Sequence, residues 1–98
     1  MTTSVFLNND RTMPLLGLGL YKATSEGEAE FAIEAAVQNG YRLIDTASAY
    51  KNEENVGRGI ARCGIPRRDL FVTTKIWNNA QRLGDVEGAF NRSLDRLG

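Results

Sequence analysis

Short segments of strand character alternate with segments of helical periodicity along this chain, and this alternation restricts the fold more than any other feature. A weakly alternating stretch over residues 1–13, with the Asn-Asn-Asp cluster at 8–10 as its turn, predicts a hairpin. Three predicted strands follow at residues 15–21, 41–46 and 70–77, and each precedes a predicted helix. This order indicates a parallel sheet with right-handed crossovers. It begins either a doubly wound sheet or a TIM barrel, which periodicity does not distinguish.

The first helix is expected to begin at Thr24 or Ser25 and to stop at Gly40. Ser25 and Glu28 have the spacing of a capping box, and a glycine directly after the last periodic residue is a common C-terminal stop. Helical spacing predicts one apolar face, which consists of Ala29, Ala32, Ile33, Ala36 and Val37.

The second helix is expected to be capped by Asn52 and to end at residues 64–66, which read Gly-Ile-Pro. Glu53 and Glu54 follow the cap, where the positive end of the helix dipole favours acidic side chains. A third helix is predicted over residues 83–97. The apolar faces are Val56, Ile60 and Cys63 in the second helix, and Leu83, Val86, Phe90, Leu94 and Leu97 in the third.

Composition and charge exclude several classes of function. The 98 residues suit one domain, and 12 basic and 12 acidic residues give no net charge, which argues against a nucleic-acid partner. No apolar run approaches the roughly 20 residues of a membrane span, and residues 1–6 lack a signal-peptide pattern. The lone Cys63 fits a buried apolar position and a cytoplasmic location. Because histidine is absent, His-based triads and the common zinc sites are excluded, and no metal site is expected.

Three ionisable residues fall where the predicted strands end, and they form a candidate catalytic group. Asp45 ends the second strand, Tyr50 follows it in the next loop, and Lys75 lies near the end of the third. The carboxyl ends of parallel strands lie at one edge of a sheet, so these residues are expected to meet. A cation beside a phenol lowers its pKa from about 10, and a carboxylate keeps that cation charged. Such a trio makes tyrosine a proton donor near neutral pH.

Each candidate also has a structural interpretation. Asp45 suits a turn or cap, and Tyr50 suits packing in a loop. Lys75 must extend to solvent or find a partner, because an unpaired buried charge is costly. Trp77 fits either the wall of the fold or the lining of a pocket. Gly17-x-Gly19 lacks the third glycine of a dinucleotide fingerprint and is explained by tight packing.

Four stretches, in order along the chain, resemble motifs of the aldo-keto reductases. Residues 40–57, GYRLIDTASAYKNEENVG, resemble a signature of that family. Residues 13–19 are similar to its first barrel strand, residues 70–78 to its third, and residues 93–98 to the end of its third barrel helix. The resemblance covers essentially the whole chain. It implies an α/β fold made of an N-terminal hairpin plus the first three βα units of a TIM (β/α)8 barrel, incomplete in this chain.

The resemblance also implies roles for the candidate residues. The family's catalytic tetrad is Asp, Tyr, Lys and His, and the first three match Asp45, Tyr50 and Lys75. Tyr50 would act as general acid towards a carbonyl oxygen, Lys75 would depress the pKa of the tyrosine, and Asp45 would hold Lys75. Hydride would come from NADPH or NADH. The family's histidine, on the next strand, has no counterpart in residues 1–98.

Binding roles follow from the same motif matches, with some departures. The implied cofactor-binding residues are Gly19, Leu20, Tyr21 and Asp45, and the implied substrate-binding residues are Tyr21, Tyr50 and Trp77. Leu20 and Tyr21 stand where many members have Thr and Trp. Leu43 replaces a residue that is often His, and we interpret that change as packing. The substrate is expected to be a small carbonyl compound, an aldehyde, ketone or sugar.

The size of the chain separates two functional hypotheses. A full barrel takes about 250 residues and eight strands, so three βα units leave an open edge. The chain is therefore expected to be part of a longer product or to need a partner, which includes the remainder of its own barrel. The leading hypothesis is a parent enzyme that reduces carbonyls with NAD(P)H, whose first 98 residues alone are inactive. The alternative is a truncated or regulatory non-catalytic protein that assembles with further chain.

Overall fold

The computed structural model describes residues 3–98, so Met1 and Thr2 of the predicted hairpin lie outside the described residues. Strands and helices alternate after an N-terminal hairpin, as the sequence predicts. The elements are β1 (Ser4–Phe6), β2 (Thr12–Pro14), β3 (Leu18–Gly19), α1 (Glu28–Gln38), β4 (Leu43–Asp45), α2 (Glu53–Arg62), β5 (Phe71–Thr73), α3 (Asn78–Arg82) and α4 (Val86–Leu97). Short 3-10 turns cover Ser48–Tyr50 and Arg67–Asp69.

The predicted hairpin is confirmed. Strands β1 and β2 pair antiparallel, with Val5 opposite Met13. The turn is closed by the Leu7 amide, which donates to the Arg11 carbonyl over 2.7 Å. Asp10 has a φ of 66°, a left-handed conformation that Asn and Asp tolerate better than most residues. The Asn-Asp cluster therefore forms the turn for a conformational reason.

The parallel sheet has the order β3-β4-β5, and its strands are shorter than the sequence predicts. The largest difference is in residues 15–21, which were expected to form a buried strand. Leu15 and Leu16 are exposed, and the Leu15 amide donates to the Thr3 carbonyl as an extension of the hairpin. Only Leu18–Gly19 pairs with β4, because the first half of the apolar run follows the hairpin instead of the sheet.

Helix α1 begins at Glu28 with Gly27 as its N-cap, two residues later than a capping box at Ser25 predicts. Gly27 precedes it with a φ of 77°, and a left-handed residue does not belong inside a right-handed helix. Half of the predicted box forms: the Ser25 amide donates to the Glu28 carboxylate over 3.3 Å, without a reciprocal side-chain cap. The predicted stop at Gly40 is confirmed, with a φ of 90° after the last helical residue.

The predicted third helix is confirmed as α4, and the short helix α3 before it was not predicted. Gly84, with a φ of 72°, separates α3 from α4, so the helix predicted over residues 83–97 was wrong at its start. The apolar face predicted for it is largely exposed. In α4, Ala89 and Ser93 are buried, whereas Val86, Phe90 and Leu94 are exposed, as is Leu83 before the helix. Periodicity identified an apolar stripe, but no described element covers it.

The core lies between the parallel sheet and helices α1 and α2. Gly57 and Gly59 let α2 approach its neighbours closely. A Cβ on Gly57 would lie 2.5 Å from the Arg96 carbonyl oxygen of α4, and one on Gly59 would lie 2.8 Å from Ile33 of α1. The buried cluster consists of Leu20, Ala29, Ile33, Val37, Ile44, Val56, Ile60 and Leu70.

Among residues 3–98, no helix has the length and apolarity needed to cross a membrane.

Candidate active site

Parallel pairing brings the ends of the three sheet strands side by side. Gly19 lies opposite Asp45, and Asp45 lies opposite Thr73 in the register of β3, β4 and β5. The Thr73 hydroxyl donates a hydrogen bond to the Asp45 carboxylate. The carboxyl ends of the three strands lie at one edge of the sheet. The loops that follow the strands therefore place their side chains in one region.

Lys75 lies at the centre of this region. Its ammonium donates to the two carboxylate oxygens of Asp45 over 2.9 and 3.1 Å, and to the Thr46 carbonyl over 3.0 Å. The same Nζ lies 3.4 Å from the Tyr50 hydroxyl. The structure therefore brings together the aspartate, tyrosine and lysine that the sequence analysis grouped.

The loop that carries Tyr50 is fixed to the backbone of Lys75. The Ser48 amide and hydroxyl both donate to the Lys75 carbonyl, over 3.1 and 3.0 Å. A 3-10 turn over Ser48–Tyr50 follows, in which the Tyr50 amide donates to the Ala47 carbonyl. The phenol and the ammonium are thus joined through main-chain contacts as well as through their own approach.

Electrostatic contacts set the charge state of Lys75. Partial burial lowers the pKa of its ammonium, but hydrogen bonds and attraction from Asp45 and Tyr50 outweigh that effect, so the pKa lies above the ordinary 10.5. The Lys75 and Asp45 side chains are 54% and 37% exposed. Both therefore stay reachable from solvent in the described part of the chain, and the lysine is held as a cation.

The residues expected to bind ligands occupy different environments. The Tyr21 ring is exposed and lies 5.2 Å from the Tyr50 ring, centroid to centroid, at a tilt of 57°. Gly19 has open space where a Cβ would project. Leu20, by contrast, is 1% exposed, and its amide donates to the Asp45 carbonyl. Tyr21 and Gly19 thus present surface beside the trio, whereas the Leu20 side chain belongs to the core.

Trp77 is half exposed and borders a separate hollow. This cleft has a volume of about 490 Å³ and lies against the first turn of α2 and the inner side of α4. Ser48, Lys51 and Arg92 share its lining, whereas Asp45, Tyr50 and Lys75 do not. Trp77 therefore lines a hollow that the trio does not line, and its substrate-binding role stays a prediction.

Asn52 has contacts that the sequence analysis missed. It precedes α2 as predicted, but its side chain makes no capping hydrogen bond and is 1% exposed. Its amide instead donates to the carbonyls of Leu20 and Ala23 over 2.9 and 3.2 Å. Its carbonyl oxygen accepts from the Thr46 hydroxyl over 2.7 Å. The predicted cap is therefore a link between the ends of β3 and β4.

Glu53 was expected only to complement the helix dipole, yet it is buried, with 2% of its surface exposed. One carboxylate oxygen accepts from Arg96 over 2.7 and 2.8 Å and from the Ser93 hydroxyl over 3.1 Å. The other accepts from the Thr74 hydroxyl over 2.6 Å. Ser93 and Arg96 lie three apart on α4, a spacing that puts both on one helix face, and this was the signal available in the sequence.

The fold is a parallel α/β fold, and an aspartate–lysine–tyrosine cluster lies at the ends of its strands. Enzymes with parallel α/β folds have their active sites at this edge of the sheet. Comparison with known proteins identifies the family within that class. The model of the Aldo/keto reductase family matches residues 15–98. The chain therefore belongs to the aldo-keto reductases, a family of TIM-barrel proteins.

Individual relatives agree with this assignment. The glyoxal reductase of Bacillus subtilis (strain 168) is 48% identical over 94 residues, which are 96% of this chain and 34% of that protein. Of the solved structures, MGS-M4, an aldo-keto reductase from a Medee basin deep-sea metagenome library, superposes with a TM-score of 0.91 at 49% identity, over 97% of this chain and 35% of its own. The Bombyx mori aldo-keto reductase in complex with NADP gives 0.86 at 39% identity, over 98% and 34%. The chain spans about a third of the length of these relatives.

Proposed function

We propose that this chain carries the acid–base group of a reductase that transfers hydride from NADPH or NADH to an aldehyde or ketone. The observation that carries the proposal is the position of the Lys75 ammonium, between the Asp45 carboxylate and the Tyr50 hydroxyl. The family assignment supports an oxidoreductase role, and the similar Bacillus subtilis protein is named a glyoxal reductase. The proposal concerns the complete protein that contains these residues.

Each member of the trio has a chemical role in the proposal. The Tyr50 hydroxyl donates a proton to the carbonyl oxygen as negative charge develops there. The Lys75 ammonium stabilises the phenolate that remains, because it lies 3.4 Å from the phenol oxygen. Asp45 holds the ammonium with both carboxylate oxygens and keeps it charged. The cation is the central group, since it contacts both of the others.

The described residues fit a nicotinamide ring beside this group. A bound nicotinamide would supply the hydride. Tyr21 offers an exposed aromatic face next to Tyr50, and the open space above Gly19 allows a flat ring to approach the strand end. Leu20 contributes through its buried packing, which fixes the backbone between those two residues. A related structure contains NADP, which supports cofactor use of this kind, with NADPH or NADH left open.

The substrate we propose is a small carbonyl compound: an aldehyde, a ketone or a sugar carbonyl. Its oxygen would approach the Tyr50 hydroxyl, whose ring lies beside the exposed Tyr21 ring. Tyr21 would contact the rest of the substrate. Trp77 would extend the binding surface, although it borders a different hollow among the described residues.

Substitution of Tyr50 and Lys75 in the complete protein tests this function. Tyr50→Phe removes the proton donor and Lys75→Met removes the cation, so each is expected to lower kcat by at least about 10²-fold, the usual contribution of general acid catalysis. The measurement is carbonyl-dependent oxidation of NADPH and NADH, followed by absorbance. Tyr41→Phe is the matched control, because it removes the same hydroxyl outside the site. Near-wild-type rates in both site variants would refute the assigned roles.

A second candidate function is a non-catalytic protein that assembles with further chain. An exposed apolar groove favours it. This groove, of about 400 Å³, runs between β5 and α4, and its apolar lining is Ile60, Val72, Ile76, Phe90, Leu94 and Leu97. A surface of this kind marks a place where other protein packs. The two candidates separate in the Tyr50→Phe experiment, because an assembly role predicts neither turnover in the wild type nor an effect of the substitution.

A further inference from the structure

Two consecutive polar residues at the start of α2 are buried, and each is hydrogen-bonded to different strand ends. Asn52 binds the chain after β3 through the Leu20 and Ala23 carbonyls, and the chain after β4 through Thr46. Glu53 binds the chain after β5 through Thr74. Buried amides and carboxylates are costly unless their partners are in place, so these contacts favour one arrangement of the three strand ends.

The partners of these two side chains are neighbours of the trio in sequence. Thr74 directly precedes Lys75, and its hydroxyl donates to Glu53 over 2.6 Å. Thr46 directly follows Asp45, its hydroxyl donates to Asn52, and its carbonyl accepts from the Lys75 ammonium over 3.0 Å. A lysine side chain is flexible, and that of Lys75 is half exposed. The position of its ammonium therefore depends on the position of the Lys75 main chain.

We propose that Asn52 and Glu53 are positioning residues, whose buried side chains fix Thr46 and Thr74 and so hold the Lys75 ammonium between the Asp45 carboxylate and the Tyr50 hydroxyl. The proposal rests on the function proposed above for that trio. Neither residue contacts Asp45, Tyr50 or Lys75 by its own side-chain hydrogen bonds; both act through the adjacent threonines.

Glu53 also accepts a hydrogen bond from a helix residue, and this provides a matched control. The Ser93 hydroxyl of α4 donates to the other oxygen of the same carboxylate over 3.1 Å, and Ser93 is not adjacent in sequence to any member of the trio. Thr74→Val and Ser93→Ala each delete one hydroxyl that binds Glu53. If Glu53 only joined helix to helix, the two deletions would have similar consequences. If Glu53 positions Lys75, only the deletion at Thr74 lowers kcat.

The test compares these variants in the complete protein, together with Thr46→Val for the Asn52 contact. Steady-state kcat and KM are measured, and the pKa of Lys75 is followed by NMR of [13Cε]lysine, assigned with Lys75→Met. Thr74→Val and Thr46→Val are expected to lower kcat by about tenfold or more, as misplacement of a catalytic group does, with KM changed by less than about twofold. Both should also move the pKa of Lys75 down towards 10.5. Thr74→Ser and Thr46→Ser, which retain the hydroxyl, should restore both values.

Ser93→Ala is expected to keep kcat within about twofold of the wild type, even where its Tm falls as far as that of Thr74→Val. Equal effects of Ser93→Ala and Thr74→Val, or wild-type behaviour of either threonine variant, would overturn the proposal. If Thr74→Val does not fold, Thr74→Ala takes its place. Should the wild type show no carbonyl-dependent oxidation, the proposed function fails separately, and the Lys75 titrations still decide the positioning roles.

Discussion

At the scale of single residues, Lys75 connects the groups of the candidate site. Its ammonium contacts Asp45 and Tyr50, and its carbonyl accepts both donors of Ser48. Contacts to a half-exposed ammonium are screened by water, so their effect on overall stability is small. These contacts fix the position of the Lys75 ammonium and favour its charged form. A titration of Lys75 measures the second effect.

The raised pKa of Lys75 predicts how stability depends on pH. A lysine whose pKa is higher in the folded chain than in the unfolded chain stabilises the fold fully below the unfolded pKa of 10.5, and that contribution is lost as pH rises through the folded pKa. The free energy of unfolding of wild type minus that of Lys75→Met should therefore be constant below pH about 9.5 and fall above it. Asp45 and Tyr50 are the ionisable groups that face the ammonium.

Urea unfolding at several pH values between about 8 and 12 makes this measurement, in the range where lysine titrates. Lys51→Met is the control, because Lys51 is exposed and lies outside the trio. A difference between wild type and Lys75→Met that does not change across this range would show that the contacts to Asp45 and Tyr50 do not form.

Sequence reasoning brought the trio together because parallel strands end at one edge, which is a rule of topology. It did not find the buried contacts of Asn52 and Glu53. A helix cap followed by an acidic residue occurs at many helix starts, and the local pattern has the same appearance whether the side chain turns to its own helix or to a neighbouring strand. The difference depends on burial, which arises only when β3, β4 and α4 are in place.

At the scale of elements, helices α1 and α4 both pack closely against α2. Its Gly57 faces a main-chain carbonyl of α4, and its Gly59 faces Ile33 of α1. Backbone cannot rotate away as a side chain can, so the contact at Gly57 sets the distance between α2 and α4. The same two helices are joined by the contacts of Glu53 with Ser93 and Arg96.

Gly57→Ala is expected to destabilise the fold by about 1–3 kcal/mol, the usual cost of overpacking, in spite of the better helix propensity of alanine. Gly88→Ala on α4 is the matched control. A Cβ there would meet the exposed side chain of Asp85, which can move, so the propensity gain of up to about 1 kcal/mol should appear. The free energy of unfolding in urea distinguishes the two. Equal stability of both variants would contradict the close approach of α2 and α4.

Element boundaries were predicted less well than element order. The alternation of strand and helix was confirmed along the described chain. The break before α4 was missed because the apolar period runs through Leu83 and beyond without interruption, while the left-handed φ of Gly84 depends on the local turn. The first strand was predicted too long because an apolar run shows that burial is favoured and does not show which partner provides it.

At the scale of the whole molecule, the described sheet has three strands, and β3 and β5 each pair on one side only. The groove beside β5 is apolar, and the Phe90 and Leu94 side chains of α4 are half exposed there. We expect further strands of the same barrel to cover this surface in the complete protein. That residues 1–98 are the N-terminal part of a single barrel domain stays a prediction, as does the cytoplasmic location.

The isolated 98-residue chain is expected to show no measurable carbonyl-dependent oxidation of NADPH. The family resemblance implies a catalytic histidine and most of the cofactor contacts on later strands. In the described chain, β5 is an edge strand, and the groove between it and α4 is exposed. The assay compares this chain with a version extended to the length of its relatives. Robust turnover by the short chain that disappears on Tyr50→Phe would refute the expectation.

The two hydrogen bonds from Ser48 to the Lys75 carbonyl have a consequence for engineering this scaffold. They hold the segment between Asp45 and Tyr50 in place, because Asp45 belongs to β4 and Ser48 is bonded to the chain that follows β5. An insertion before Tyr50 would carry the phenol away from its cation, whereas an insertion after Trp77 would leave that segment intact. Libraries intended to alter substrate size are therefore better placed in the segment that follows β5 than in the one that follows β4.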